Sequence, residues 1–125
     1  RKEFTMRTLL VVITFASFAS ASDDFRLGST LLLSVGESDA IVKPLGCRYT
    51  DALQLKIEKQ DARIEALKVY YKDGSSRTVK VDKHYGKDER SSWLKLDRRK
   101  CVTKIRVEGY AKRKMAEVKI YGRRD

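Results

Sequence analysis

The sequence predicts an all-β fold: an antiparallel two-sheet β-sandwich, jelly-roll-like, of about eight short strands with one disulfide. Three observations carry this. Apolar and polar residues alternate with period two along most of the chain beyond position 22, the pattern of strands with one buried face. Turn-forming residues interrupt the alternation at short, regular intervals. Two cysteines, Cys47 and Cys101, stand in a chain that opens with an export leader, where an even count reads as a disulfide.

Phe25 to Leu33 and Ala40 to Lys43 read as the first two strands, with Gly36 to Asp39 as the turn and Pro44, which lacks an amide donor, closing the second. Leu53, Leu55 and Ile57 alternate with Gln54, Lys56 and Glu58 in a third. Asp61 to Lys68 offers a rival helical phase through Ile64, Leu67 and Lys68, enough for a single turn, before Leu67, Val69 and Tyr71 resume the alternation. Asp73-Gly74, followed by Ser75-Ser76, supplies the positive-φ chemistry of a tight connection, so this strand and the next, through Val79 and Val81, form an antiparallel hairpin. Leu94 and Leu96 open another short strand. Ile105 with Val107, and Val118 with Ile120, give the last two, expected as a second hairpin around Ala111 to Met115 with Val107 opposite Val118 and Ile105 opposite Ile120. In that register Cys101 faces inward, and a Cys47 to Cys101 bridge crosses the core as sandwiches staple their sheets. No internal repeat, Pro-rich linker or low-complexity tail interrupts the pattern.

Met6 and Arg7, the apolar run from Thr8 through Phe18 and the small residues Ala19-Ser20-Ala21 are, in order, the three parts of a secretory signal peptide. The apolar run is shorter than the about 20 residues that a membrane span needs. Residues 1–21 are therefore read as upstream residues plus leader and 22–125 as a single domain, expected to be a periplasmic or secreted monomer.

Charge bounds the partners. The chain carries 28 Lys and Arg against 17 Asp and Glu. Losing Arg1, Lys2, Arg7 and Glu3 with the leader leaves 25 basic and 16 acidic side chains, a formal charge of +9. Such an excess favours anionic partners. Export argues against nucleic acid and for anionic polysaccharide, lipopolysaccharide, lipid headgroups or an acidic protein. Chemistry has little to work with. His84 is the only histidine, too few ligands accompany it for zinc, and no nucleophile context, paired carboxylates or Gly-rich phosphate loop stands out. Neither a metal, a cofactor nor an enzymatic activity is expected. For the cysteines the alternative is two free thiols or a redox pair, which the absence of Cys-x-x-Cys spacing disfavours.

The expected anion-binding residues belong to the last hairpin. Lys104, Arg106 and Lys119 share its outward face, and Arg98, Arg99 and Lys100 at its start meet Arg123 and Arg124 at its end. The competing explanation is a charged strand edge that prevents aggregation. Trp93 and Tyr85, flanked by Lys87, Arg90 and Lys95, are candidate stacking residues, although a lone Trp at a strand start also commonly anchors a core.

Leu27-Gly28, Cys47-Arg48, Val69-Tyr70-Tyr71-Lys72, Trp93, Lys100-Cys101-Val102-Thr103-Lys104-Ile105 and the closing Ala116, Val118, Lys119, Ile120 and Gly122 together resemble the YaaI-type family of small bacterial periplasmic proteins of unknown function. The resemblance spans nearly all of the mature chain; it implies a bacterial periplasmic location and a Cys47 to Cys101 bridge, and it assigns no activity. Trp93 to Gly122 is also similar to the end of discoidin-like jelly-roll modules, many of which bind glycans or lipid headgroups through loops, an analogy at the level of fold alone. The expectation is a non-catalytic module that engages an anionic envelope component. The alternative is a structural or accessory periplasmic protein that meets an acidic protein partner through a strand edge.

Overall fold

A computed structural model describes residues 23–35 and 40–125. The upstream residues and leader expected over residues 1–21 and the turn expected at Gly36 to Asp39 lie outside the described residues. The period-two segments form strands β1 (Asp23–Leu33), β2 (Ala40–Val42), β3 (Arg48–Tyr49), β4 (Ala52–Glu58), β5 (Ala62–Tyr71), β6 (Ser76–Tyr85), β7 (Leu94–Lys95), β8 (Cys101–Ala111) and β9 (Met115–Arg124). They build the expected antiparallel sandwich, with β3 as an added ninth strand. One sheet has the order β1-β9-β4-β7; the other has β2-β8-β5-β6, with β3 also paired to β8.

The core lies between the sheets because each buries its alternate apolar residues. Leu53, Leu55, Ile57, Val118 and Ile120 face Leu67, Val69, Val102, Ile105 and Val107, all completely or almost completely shielded from solvent. Among the described residues no helix is long and apolar enough to cross a membrane.

The β5–β6 hairpin forms as expected, with Tyr70 opposite Ser76. The second hairpin does not. β8 and β9 follow one another through a short turn but belong to opposite sheets: Val107 pairs with Ala40 and Leu67, whereas Val118 pairs with Thr30 and Ile57. Parity alone puts both apolar rows toward a common core; it does not distinguish two strands side by side in one sheet from two strands face to face across a sandwich.

Two β-bulges account for the other departures. Between Ile64 and Ala66 the β5–β8 register slips by one, leaving Glu65 without a partner. The slip turns Ile64 and Leu67 to the same face, so the spacing of three that reads as a helical turn is a strand with an extra residue. The backbone closes in there: a Cβ on Gly109 would overlap the Arg63 carbonyl oxygen. A second slip, between Tyr70 and Tyr71, leaves Thr103 unpaired and turns Val102 into the core. Cys101, buried as expected, therefore lies outside the cluster of core side chains that Val102 joins. Its disulfide to Cys47, with a Cα–Cα distance of 5.3 Å, ties the segment before β3 to β8 within one sheet rather than stapling the two sheets together.

Candidate functional site

The site is built at the end of the sandwich where β3 lies. β3 pairs with the start of β8, Arg48 opposite Val102 and Tyr49 opposite Cys101, and the disulfide one residue away holds it there. Tyr49 is half exposed (50%) and borders three adjoining hollows. The largest, about 400 Å³, runs past Asp24, Phe25, Cys47, Arg48 and Arg124. The second, about 260 Å³, is walled by Lys72, Asp73, Arg99, Lys100 and Cys101. The third, about 280 Å³, lies among Asp51, Arg98, Arg99, Arg124 and Asp125.

Aromatic rings hold two of the guanidinium groups in place. Arg48 sits 3.8 Å from the centroid of Phe25, and Arg124 lies 5.5 Å from that of Tyr49. The buried Asp51 organises the others. Its carboxylate accepts from the Arg99 amide at 3.4 Å and the Asp125 amide at 2.8 Å, joining the turn before β8 to the segment after β9. Arg99 holds a left-handed φ of 61° in that turn, where Arg98 and Arg99 are both exposed. Among the described residues, Arg48, Arg98, Arg99 and Arg124 make no ion pair. Lys100 is engaged, reaching Asp73 at 3.5 Å, Asp97 at 4.0 Å and the Ser75 hydroxyl at 3.1 Å. Hydrogen bonds from the Ser75 hydroxyl and amide, then the Lys100 charge, hold Asp73 below the usual carboxylate range.

The eight expected anion-binding residues do not form one patch. Arg98, Arg99, Lys100 and Arg124 meet at this end, because β8 starts where β9 finishes even though the two strands occupy different sheets. Arg123 is adjacent but committed, stacked 4.7 Å from the Trp93 ring and paired with Asp125 at 2.8 Å. Lys104 and Arg106 stand on the outer face of the sheet containing β8, opposite Tyr70 and Lys68 respectively. Lys104 lies 4.4 Å from the Tyr70 ring centroid. Desolvation opposes ionisation of Tyr70, yet the hydrogen bond with Arg106 and the charges of Lys68 and Lys104 draw its hydroxyl below the usual phenol range. Lys119 is on the outer face of the other sheet. There Glu58 bridges it, at 3.1 Å, to Lys56, and hydrogen bonds from Lys119 and Lys56 hold the Glu58 carboxyl low. Separating β8 from β9 is what divides the group.

Of the stacking candidates, Trp93 is half buried beneath Arg123, and Tyr85 is a core residue at the end of β6, not an exposed loop aromatic. His84 is exposed but lies within β6 rather than in a loop. Tyr49, Arg48, Asp51 and Lys72 were not singled out from the sequence as site residues. The signal for the first two was present: a bridge between Cys47 and Cys101 brings residues 48 and 49 alongside the basic run at 98 to 100. Asp51 carried none, since its partners are backbone amides far away in sequence. Among the described residues no three His, Cys, Asp or Glu side chains gather as a metal site.

The sequence profile of a domain of unknown function, DUF2541, matches residues 5–122, and the chain belongs to that family. No curated protein matches the chain.

Proposed function

We propose that this DUF2541 domain is an exported, non-catalytic binding module that takes an anionic envelope component, a glycan, lipopolysaccharide or lipid headgroup, at the end of the sandwich around Tyr49. The observation that carries the reading is the convergence of Arg48, Arg98, Arg99 and Arg124 from three separate segments around a half-exposed tyrosine, with no carboxylate taking any of the four into an ion pair among the described residues. Guanidinium groups suit this role. Each presents a planar fork of donors that matches a carboxylate, sulfate or phosphate, and stacking on Phe25 and Tyr49 limits the freedom lost on binding. Tyr49 adds a flat apolar surface against which a sugar ring can lie. Asp24, Asp51 and Asp125 in the walls restrict the anion to the arginine side of the hollows.

The test is a binding screen of the oxidised domain against lipopolysaccharide, peptidoglycan, acidic glycans and neutral sugars at low and high salt. The expected result is saturable binding to one anionic class that weakens as salt rises and is lost in the Arg98→Gln/Arg99→Gln variant. Binding to none of these polymers contradicts the reading and redirects the search to an acidic protein partner.

A further inference from the structure

The opposite end of the molecule carries a second, chemically different surface. Leu31, Leu33 and Val35 occupy alternate positions along β1 and its continuation, and Met115 pairs directly with Leu33 on β9. All four are exposed, by 41% to 79%, although each is large and apolar. The Ser34 amide donates to the Lys114 carbonyl at 3.0 Å, which holds this row against the β8–β9 turn. The turn presents Lys112, Arg113 and Lys114, all exposed and, among the described residues, without an ion pair. Among the described residues, the acid paired with the row is Glu117, opposite both Leu31 and Glu58.

We propose that this corner docks onto an anionic lipid bilayer, with Leu31, Leu33, Val35 and Met115 entering the boundary between headgroups and acyl chains while Lys112, Arg113 and Lys114 meet the lipid phosphates. An apolar row edged by three cations on a projecting turn matches a surface that is negatively charged outside and hydrocarbon within. A second copy of the chain fits less well. A symmetric contact through this corner brings both Lys112-Arg113-Lys114 turns together, and their like charges repel. β9 extends ten residues from Met115 to Arg124, about 30 Å at strand rise. Docking through the corner therefore leaves the Tyr49 end clear of the bilayer, so this inference is independent of the anion site there.

The experiment is co-sedimentation of the oxidised domain with vesicles of phosphatidylcholine alone or mixed with phosphatidylglycerol. Binding is expected only to the mixed vesicles. Three cations near the surface should contribute about 100-fold in partitioning, which Lys112→Gln/Arg113→Gln/Lys114→Gln should remove. Leu33→Ser/Met115→Ser, at exposed positions that leave the core intact, should reduce partitioning at least as far, whereas Lys80→Gln/Lys104→Gln, on the sheet that contains β6 and β8, should keep it nearly unchanged. No partitioning of the parent domain, or partitioning indifferent to Leu33→Ser/Met115→Ser, overturns the proposal. So does a parent dimer in sedimentation equilibrium that Leu33→Ser/Met115→Ser dissociates, because the corner is then covered by a second copy.

Discussion

Asp51 separates two accounts of the Tyr49 end. If charge alone governs binding, removing a carboxylate from the wall strengthens the hold on an anion. If position governs it, the loss of acceptors for the Arg99 and Asp125 amides frees the turn and the arginines lose their convergence. The position account predicts that Asp51→Ala weakens binding of the selected anionic polymer despite the gain in net positive charge. It also predicts a stability loss of about 1 kcal/mol from two part-buried amides left without their acceptor, read in urea unfolding. Tyr85 provides a pH test. Burial, and secondarily the Glu89 charge, raises its hydroxyl above the ordinary 10.0. A raised folded-state value means that its contribution is fully present below about pH 10 and is lost as the pH climbs through the higher folded value, since the unfolded chain ionises first. Tyr85→Phe should therefore flatten the alkaline fall in the urea midpoint, with little change at neutral pH. Gly109→Ala drives a methyl group into the Arg63 carbonyl and should cost about 3 kcal/mol in the same assay.

At the scale of elements, alternation is a reliable guide wherever a strand stays regular and fails where one residue is added. The phase of β4 and β9 is legible directly from Leu53, Leu55, Ile57, Val118 and Ile120, and each of these side chains is in the core. Glu65 and Thr103 are the exceptions. An extra residue reverses the parity of everything on one side of it, and no composition marks it, so Ile64 and Leu67 resemble a helical pair and Cys101, rather than Val102, reads in phase with Ile105 and Val107. The pairing of β8 and β9 was hidden for another reason: a short connection joins neighbours in a sheet as readily as strands facing each other between sheets. That ambiguity explains why Arg98, Arg99, Lys100, Arg123 and Arg124 come to one end as the alternation implies, while Lys104 and Arg106 lie on a different sheet from Lys119 instead of sharing its outward face. The disulfide acts at this scale as well. Closing a loop of 54 residues should contribute about 4 kcal/mol, so Cys47→Ser/Cys101→Ser should lower the unfolding free energy by about that much. Because the bridge holds the two-residue β3 against β8, hydrogen exchange at Arg48 and Tyr49 should accelerate more than in β4 or β9.

Viewed whole, the molecule is a sandwich whose ends differ in chemistry. One gathers guanidinium groups around Tyr49; the other carries an apolar row beside Lys112, Arg113 and Lys114, and the sheets between them set the separation. A chain with a formal charge of +11 attracts polyanions over its entire surface, so weak binding that depends on salt would not by itself identify a site. The decisive comparison holds net charge constant. Arg98→Gln/Arg99→Gln/Arg124→Gln removes three cations from the Tyr49 end, and Lys104→Gln/Arg106→Gln/Lys119→Gln removes three from the outer faces of the two sheets. The measurement is calorimetric titration of each variant and the parent with the anionic polymer selected in the screen. A loss of at least about 10-fold in affinity in the first variant, with the second within about 3-fold of the parent, is the predicted result, since removing charges away from the site changes mainly long-range attraction. Equal losses in the two variants would show that only net charge is felt and would contradict a site at the Tyr49 end.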